Sequence, residues 1–310
     1  MSRTNVGRHE CRPSRKGNLM DLAYYPGCSL HASSALYDRQ NLRIMERLGV
    51  RLREIDDWSC CGATSAGKAS EFMALAMPSR NIGLAEAMGL SEVMIPCSAC
   101  YSRTLVAAQR LKADAPLREK INAELKKPAA GKIKVSSILE VILARIRDGA
   151  LQGKIVKRLD GLKPVCYYGC MLTRFPADVP APDDVENPQG MERVLSAIGA
   201  SALDWNCKTD CCGASAAMND NPTALALMGR IMREAVARGA NCIVTTCPMC
   251  QLNLDAYQDA TCEQAKICER LPVYFITEML GLAMGLTTPE LEIDRHLTDG
   301  VSLLKELKLI

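Results

Sequence analysis

The sequence contains few aromatic residues, few histidines and no marked excess of charge. Phe, Trp and Tyr make up 4% of its 310 residues, which argues against a stacking surface for single-stranded nucleic acid. Lys and Arg number 38 and Asp and Glu 35, so the net charge is only +3, and we expect no bulk attraction to nucleic acid or to an acidic membrane. The chain also lacks the run of about 20 apolar residues that spans a bilayer and the apolar stretch of a signal peptide. We therefore predict a cytoplasmic protein that neither binds nucleic acid nor spans a membrane.

The N-terminal segment, residues 1–20, departs from this balance of charge. Its single acidic residue is Glu10. Its basic residues are Arg3, Arg8, Arg12, Arg15 and Lys16. We predict that this segment is a flexible basic extension ahead of the folded chain.

Cysteine, by contrast, is abundant, and ten of the 16 cysteines form the same pattern twice. Each copy has one cysteine, then an adjacent pair followed by Gly-Ala, then a Cys-x-x-Cys. The first copy comprises Cys28, Cys60, Cys61, Cys97 and Cys100, and the second comprises Cys170, Cys211, Cys212, Cys247 and Cys250. A tyrosine precedes each first cysteine, and we align Tyr25 with Tyr168, which lies one residue closer to its cysteine. In a chain of this length without an export signal, metal-binding thiolates are a better expectation than disulfides.

The repeat extends to the segments between the cysteines. In each half an amphipathic helix ends at a glycine, a short strand leads to Cys-Cys-Gly, a second helix ends at a glycine, and a short apolar run leads into Cys-x-x-Cys. The expected strands are residues 50–55 and 92–95 in the first half and 202–205 and 242–245 in the second. Such short apolar runs between helices are typical of buried parallel strands. We predict an α/β protein of two homologous Rossmann-like domains, residues 21–150 and 151–310, related by an approximate two-fold axis.

The chemistry of the cysteines favours a metal site at the strand ends. A Cys-x-x-Cys at the start of a helix places its sulfurs near backbone amides and the positive end of the helix dipole, which stabilise thiolates. Four sulfurs would suit zinc or a cubane iron–sulfur cluster equally. Five sulfurs in each copy indicate an iron–sulfur cluster of unusual shape, or four ligands and one spare redox thiol.

The pattern Cys-x31-Cys-Cys-Gly-x34-Cys-x2-Cys resembles the cysteine-rich CCG domain. Two such domains in tandem resemble the B-type subunit of heterodisulfide reductase and its relatives, among them a soluble complex of sulfur-oxidising bacteria. The resemblance covers residues 22–286 and implies a noncubane 4Fe–4S cluster in each domain, where a disulfide is cleaved or formed in one-electron steps. The implied ligands are Cys28, Cys60, Cys61, Cys97, Cys100, Cys170, Cys211, Cys212, Cys247 and Cys250. The resemblance also implies partners: a small ferredoxin-like subunit that carries cubane clusters, a flavoprotein subunit, and a thiol or disulfide substrate, in some relatives bound to a carrier protein.

We therefore predict an oxidoreductase that acts on sulfur groups as the iron–sulfur subunit of a heterodisulfide-reductase-like complex. Two alternatives stay open: an electron relay between a flavoprotein and quinone, and a zinc-binding scaffold. Zinc in one of the two domains is a further open case. No general acid or base can be identified from the sequence.

Several residues near the motifs have no clear assignment. Cys166 could replace Cys170 as a ligand, although the residues around Cys170 match the first copy better. Cys207 is expected to have no role, and His31 could donate a proton at the first site or be an ordinary solvated histidine. The basic residues that could orient an anionic substrate, or simply face solvent, are Lys68, Arg80 and Lys208.

Overall fold

The computed structural model describes residues 19–63 and 65–310. The predicted basic extension, including Arg3 to Lys16, lies outside the described residues apart from its last two positions. Within the described part of the chain, no helix is both long enough and apolar enough to cross a membrane.

The first half of the chain is built on a four-stranded parallel sheet with the strand order β2-β1-β3-β4. Its strands are β1 (Met20–Tyr24), β2 (Val50–Glu54), β3 (Glu92–Ile95) and β4 (Lys134–Ser137). Its helices are α1 (Ala35–Arg47), α2 (Ala66–Ala69), α3 (Glu71–Ala87), α4 (Ser98–Ala113), α5 (Ala115–Asn122) and α6 (Ile138–Arg147). The strands β1, β3 and β4 end in consecutive buried residues, which agrees with a parallel sheet covered on both faces.

The second half is built on a three-stranded parallel sheet with the order β5-β6-β7. Its strands are β5 (Pro164–Tyr167), β6 (Cys242–Thr245) and β7 (Val273–Phe275). Its helices are α7 (Gly190–Ala197), α8 (Asn221–Ala237), α9 (Pro248–Ala256), α10 (Gln258–Ala265), α11 (Ile276–Ala283), α12 (Thr288–Leu291), a 3-10 turn (Ile293–Arg295) and α13 (Val301–Glu306). The predicted α/β class and its two parallel sheets are thereby confirmed.

The predicted strand over residues 202–205 is wrong in extent. Only an isolated parallel bridge between Val165 and Leu203 forms there. The indole of Trp205 turns inward and donates from Nε1 to the backbone carbonyl of Cys166 at 2.9 Å. This carbonyl of β5 is therefore bonded to a side chain and not to the backbone amide of a further residue in a neighbouring strand. The bridge nevertheless occupies the place of β2 beside β1, so the two sheets share one topology.

Helix ends in both halves follow local sequence signals. Ser70 is the N-cap of α3 and accepts a hydrogen bond from the Met73 amide, while Ser137 and Glu140 form a capping box at the start of α6. The glycine that follows α3, Gly89, has a positive φ of 71°, the left-handed conformation that commonly ends a helix.

The two halves share one hydrophobic core. Residues of α1 and of α11 belong to the same buried cluster, and these two helices pack against each other. Tyr37 of α1 stacks on Phe275 at 3.9 Å between ring centroids, and its hydroxyl donates to the Thr246 carbonyl at 2.8 Å. A smaller second cluster lies under α8 and the second sheet. The relative position of the two sheets is therefore fixed by buried contacts.

Candidate metal centre

All ten motif cysteines line one cavity between the two halves, which we call the cysteine cavity. Its volume is about 270 Å³. In each half the cysteines follow three neighbouring chain segments at the carboxyl edge of the sheet, because parallel strands all end at the same edge. The sequence pattern places five cysteines in each half, and the structure brings the two sets to a common site.

The cysteines differ in burial by their place in the motif. The second cysteine of each adjacent pair and both cysteines of each Cys-x-x-Cys are buried, whereas the first cysteines of the adjacent pairs are exposed. Cys97 and Cys247 stand at the N-caps of α4 and α9. The predicted position of Cys-x-x-Cys between a strand and a helix is therefore confirmed in both halves.

A tyrosine holds the Cys-Cys loop of each half through its hydroxyl group. Tyr25 donates to the carbonyl of Ser59 at 2.8 Å, and Tyr167 donates to the carbonyl of Asp210 at 2.6 Å. Ser59 and Asp210 both immediately precede the adjacent cysteines. The alignment of Tyr25 with Tyr168 is therefore wrong by one position, because Tyr167 is the residue that makes the equivalent contact.

Two glycines with left-handed backbone lie against the last cysteine of each set. Gly27 has φ +79°, and a Cβ atom placed on it would lie 2.8 Å from the Cys100 sulfur. Gly169 has φ +68°, and its Cβ would lie 3.0 Å from the Cys250 sulfur. These glycines allow the first loop of each set to approach Cys-x-x-Cys closely.

Backbone amides donate to the sulfurs of the adjacent cysteines. The Gly62 amide lies 3.4 Å from the Cys60 sulfur, and the Ala63 amide lies 3.3 Å from the Cys61 sulfur. In the second half the Gly213 amide lies 3.4 Å from the Cys211 sulfur. Hydrogen bonds to the charged form of a group favour that form, so these loops stabilise thiolates.

The thiols of each set are close enough to share protons. The Cys61 and Cys100 sulfurs lie 3.4 Å apart, and the Cys212 and Cys250 sulfurs lie 3.7 Å apart. The hydrogen bond with Cys100 lowers the pKa of Cys61 to about 7 against the opposing effect of burial. Its partner Cys100 has a raised pKa, chiefly because of the same hydrogen bond.

In the second set too, hydrogen bonds between thiols lower the pKa of one partner. The pKa of Cys211 falls to about 6, first because of its hydrogen bond with Cys170, and the pKa of Cys212 is lowered by its hydrogen bond with Cys250. Thiolates are the form that binds metal, so each set includes cysteines suited to that role near neutral pH.

The two sets meet at Cys97 and Cys247. The pKa of Cys247 is lowered well below its usual value by hydrogen bonds with Cys250 and then with Cys97. The pKa of Cys97 is raised, although its hydrogen bond with Cys100 opposes this, because Cys247 and burial both act in the raising direction. The pKa of a cysteine in one half therefore depends on a cysteine in the other half.

The donor set of the cavity suits iron–sulfur clusters. Five thiols in each half are soft ligands of the kind that such clusters require. Among the described residues, no three His, Cys, Asp or Glu side chains are gathered at the spacing of a single metal ion; the sulfurs surround a volume instead. The buried hydroxyl of Ser98 also lines the cavity.

The structure places the unassigned residues away from the cavity wall. Cys166 is fully buried and does not line the cysteine cavity; burial, and then Glu192, raises the pKa of its thiol. Cys207 is buried beside Asp210. His31 is exposed and lies 3.1 Å from Glu54.

The three basic residues considered for substrate binding also lie elsewhere. The Lys208 ammonium is buried and lies 2.9 Å from a Glu192 carboxylate oxygen. Arg80 pairs with Asp57 at 2.5 Å, and Lys68 is exposed on α2. Residues that sequence reasoning missed, Ser98, Met171 and Met249, line the cavity; their position beside the motif cysteines was the available signal for all three.

The pattern of the cysteine-rich domain (CCG) family matches residues 22–103 and 165–255. The chain belongs to this family. The two matched regions contain all ten cysteines of the cavity. The predicted resemblance to a tandem CCG protein is therefore confirmed.

Relatives of known name extend over nearly the whole chain. It is 33% identical to the 8-methylmenaquinol:fumarate reductase membrane anchor subunit of Wolinella succinogenes, over 91% of this chain and 99% of that protein. It is 28% identical to the B-type subunit of the ferredoxin/F(420)H(2)-dependent CoB-CoM heterodisulfide reductase of Methanosarcina acetivorans, over 92% of this chain and 96% of that protein. A solved structure of a hypothetical protein from Helicobacter pylori has the same fold, with a TM-score of 0.73 at 14% identity. That match covers 90% of this chain, which spans about half (52%) of the Helicobacter chain.

Proposed function

We propose that this chain is the iron–sulfur subunit of a heterodisulfide-reductase-like complex that cleaves or forms a disulfide. The observation that carries the proposal is the convergence of all ten motif cysteines on one cavity between the halves. The similarity to the heterodisulfide reductase of Methanosarcina acetivorans supports it. The predicted domains, residues 21–150 and 151–310, would then each contribute one half of the site.

The residues proposed to hold the clusters are the two sets of five cysteines. Cys28, Cys60, Cys61, Cys97 and Cys100 would hold one noncubane 4Fe–4S cluster, and Cys170, Cys211, Cys212, Cys247 and Cys250 would hold a second. When bound, such clusters supply one-electron steps at iron. The net reaction in the reducing direction breaks one S–S bond, takes up two electrons and two protons, and forms two thiols.

The chain itself would contribute position, charge stabilisation and shape. The amides of Gly62, Ala63 and Gly213 donate to sulfur and would lower the cost of negative charge at the site. The contact region of Cys97 and Cys247 brings the two sets together, so two one-electron centres would serve one two-electron bond.

Electrons would have to come from partner proteins. The sequence contains no Gly-x-Gly-x-x-Gly fingerprint and no ferredoxin-like cysteine run. We propose two partner proteins, one ferredoxin-like with cubane clusters and one a flavoprotein, and a thiol or disulfide substrate, free or on a carrier protein. A cytoplasmic location is part of the proposal, because reducing conditions keep the ligand thiols available.

A second candidate function is electron relay between a flavoprotein and quinone. The observation that favours it is the 33% identity to the Wolinella succinogenes protein, whose name includes 8-methylmenaquinol:fumarate reductase. Under this alternative the same clusters would pass electrons without binding a substrate sulfur. Addition of a thiol should then leave the electron paramagnetic resonance spectrum unchanged.

The test is anaerobic purification, metal analysis and electron paramagnetic resonance with and without thiol. We expect iron and sulfide in both sets and a spectrum that changes when a thiol binds. A colourless protein with zinc and no iron would refute the proposal and favour the zinc scaffold. Iron in one set and zinc in the other would restrict the reaction to one cluster. The variants Cys61→Ser and Cys212→Ser would show which set holds which metal.

A further inference from the structure

Two equivalent positions, three residues after each Cys-x-x-Cys, differ in charge between the halves. They are Arg103 in α4 and Asn253 in α9. Both side chains donate to the loop that carries the adjacent cysteines. Arg103 Nε lies 2.7 Å from the Ala63 carbonyl oxygen, and Asn253 Nδ2 lies 2.7 Å from the Cys212 carbonyl oxygen. The two contacts are alike in kind, but only the one in the first half brings a positive charge to its loop.

Arg103 is connected to a cysteine sulfur of the first set through a single residue. The Ala63 carbonyl accepts from the guanidinium, and the Ala63 amide donates to the Cys61 sulfur at 3.3 Å. The pKa of Cys61 is lowered first by its hydrogen bond with Cys100, and the Ala63 amide and the charge of Arg103 lower it further. Because Arg103 is half-buried and donates here to a neutral carbonyl, salt should screen its charge only weakly.

The position before the adjacent cysteines differs as well, with Ser59 in the first half and Asp210 in the second. The Asp210 carboxylate lies 3.3 Å from the guanidinium of Arg230, whose side chain is 68% exposed, so its negative charge is only partly offset. The pKa of Cys211 is lowered chiefly by its hydrogen bond with Cys170, and Asp210 acts in the opposite direction. The second set therefore has a neighbouring anion where the first set has a hydroxyl group.

The ion pairs beside the two cysteine loops do not reverse this difference. In the second half the Lys208 ammonium lies 2.9 Å from Glu192 and 3.4 Å from Asp204, so two carboxylates offset its charge. In the first half Arg80 and Asp57 pair with each other at 2.5 Å. The first set therefore has the more positive surroundings.

We propose that Arg103 makes the first cysteine set the centre of higher reduction potential. This inference rests on the proposed function, in which each set holds an iron–sulfur cluster. In the step concerned, one electron passes from the ferredoxin-like partner, or from dithionite in a titration, and no bond forms or breaks. The added negative charge is stabilised by a nearby cation and destabilised by a nearby anion. The first set is therefore reduced before the second.

The test is a redox titration of the reconstituted protein without any disulfide, followed by electron paramagnetic resonance. We expect two midpoint potentials, and the variants Cys212→Ser and Cys61→Ser, each lacking one cluster, show which potential belongs to which set. Arg103→Gln keeps an amide donor and removes the charge. It should lower the potential of the first set by at least about 59 mV, a tenfold change in a one-electron equilibrium constant, and leave the second potential unchanged.

Two further variants separate the charge of Arg103 from its structural contact. Arg103→Lys keeps the charge and should keep most of the potential that Arg103→Gln loses. Lys112→Gln removes one positive charge from an exposed position near the other end of α4 and should change neither potential. Equal shifts of both potentials, or an equal effect of Arg103→Gln and Lys112→Gln, would overturn the inference.

Asp210→Asn tests the second set independently, and it decides the matter if Arg103→Gln does not bind iron. This variant preserves the backbone carbonyl that accepts from Tyr167. It should raise the second potential by less than Arg103→Gln lowers the first, because Arg230 already offsets part of the Asp210 charge. No rise, or a shift of the first potential instead, would contradict the inference.

The outcomes also separate this inference from the proposed function. If the first set has the higher potential through Arg103 and no disulfide is cleaved, the proposed catalysis fails and the inference stands. If a disulfide is cleaved and Arg103→Gln leaves both potentials unchanged, the inference alone fails. Zinc in both sets, or iron in the second set only, would refute the inference, since the first set could then take up no electron.

Discussion

The two glycines that lie against Cys100 and Cys250 provide a sharp test of the site's construction. Gly27→Ala adds a Cβ atom that would lie 2.8 Å from the Cys100 sulfur, and Gly169→Ala adds one at 3.0 Å from the Cys250 sulfur. Both positions also have a positive φ. We expect each variant to displace the last cysteine of its own set and leave the other set intact.

The expected loss of stability has two parts, and two other glycines of the chain allow these parts to be measured separately. An L-residue in the left-handed conformation costs about 1–2 kcal/mol, and forcing extra volume into a packed site costs a further ~1–3 kcal/mol. Gly89 and Gly239 have φ values of +71° and +73°, and no atom lies within 4 Å of a Cβ placed on either. Gly89→Ala and Gly239→Ala therefore incur the first cost alone.

The assay combines urea unfolding with iron content after anaerobic reconstitution. Gly27→Ala should lose more stability than Gly89→Ala, and only Gly27→Ala should lose the iron of the first set. Gly169→Ala and Gly239→Ala give the same comparison in the second half, with a smaller loss because the contact is longer. If each pair of variants keeps equal iron, the close approach of the loop to Cys-x-x-Cys does not position the ligand.

Three further outcomes are expected. Cys170→Ser should lower iron content and Cys166→Ser should not, because Cys170 lines the cysteine cavity and Cys166 does not; metal analysis that shows equal loss would restore Cys166 as a ligand. Tyr37→Phe should reduce the free energy of unfolding by about 1–3 kcal/mol in urea titrations, because it leaves the buried Thr246 carbonyl without its donor; an unchanged value would contradict this. Burial lowers the pKa of His296, but Glu278 at 2.9 Å outweighs burial and the pKa is raised above 6.5. The stability that His296 provides is therefore fully present below pH 6.5 and lost as pH rises through the raised pKa; a difference from His296→Gln that grows with pH would refute this.

Much of the fold can be predicted because local signals and the duplication agree. The strands at 92–95 and 242–245 have the bounds that the sequence predicts, since each is an apolar run between a glycine and a cysteine motif. The strand at 202–205 could not be excluded, because its loss depends on a hydrogen bond from the Trp205 side chain to Cys166. That contact is made in three dimensions and leaves no mark in the sequence.

The candidate site is predictable in its members and not in its arrangement. Spacing identifies the ten cysteines, but it cannot show that Cys97 and Cys247 adjoin across the interface or that Cys166 does not line the cavity. The alignment of Tyr25 with Tyr168 is an error that spacing itself corrects, since Tyr25 and Tyr167 each lie three residues before the first cysteine of their set. The contact of Tyr167 with Asp210 agrees with this spacing.

The arrangement of the two cysteine sets follows from how the halves are joined. Tyr37 belongs to the first half, yet it stacks on Phe275 and donates to Thr246, the residue before Cys247. Burial raises the pKa of Tyr37, and the next two contributions come from Cys247 and Cys97, one from each set. Because the core that contains Tyr37 is continuous across both halves, the separation of the two sets is determined by folding and not by a flexible linker. A sulfur compound bound in the cavity would therefore meet both sets in one fixed geometry, as the proposed two-electron reaction requires.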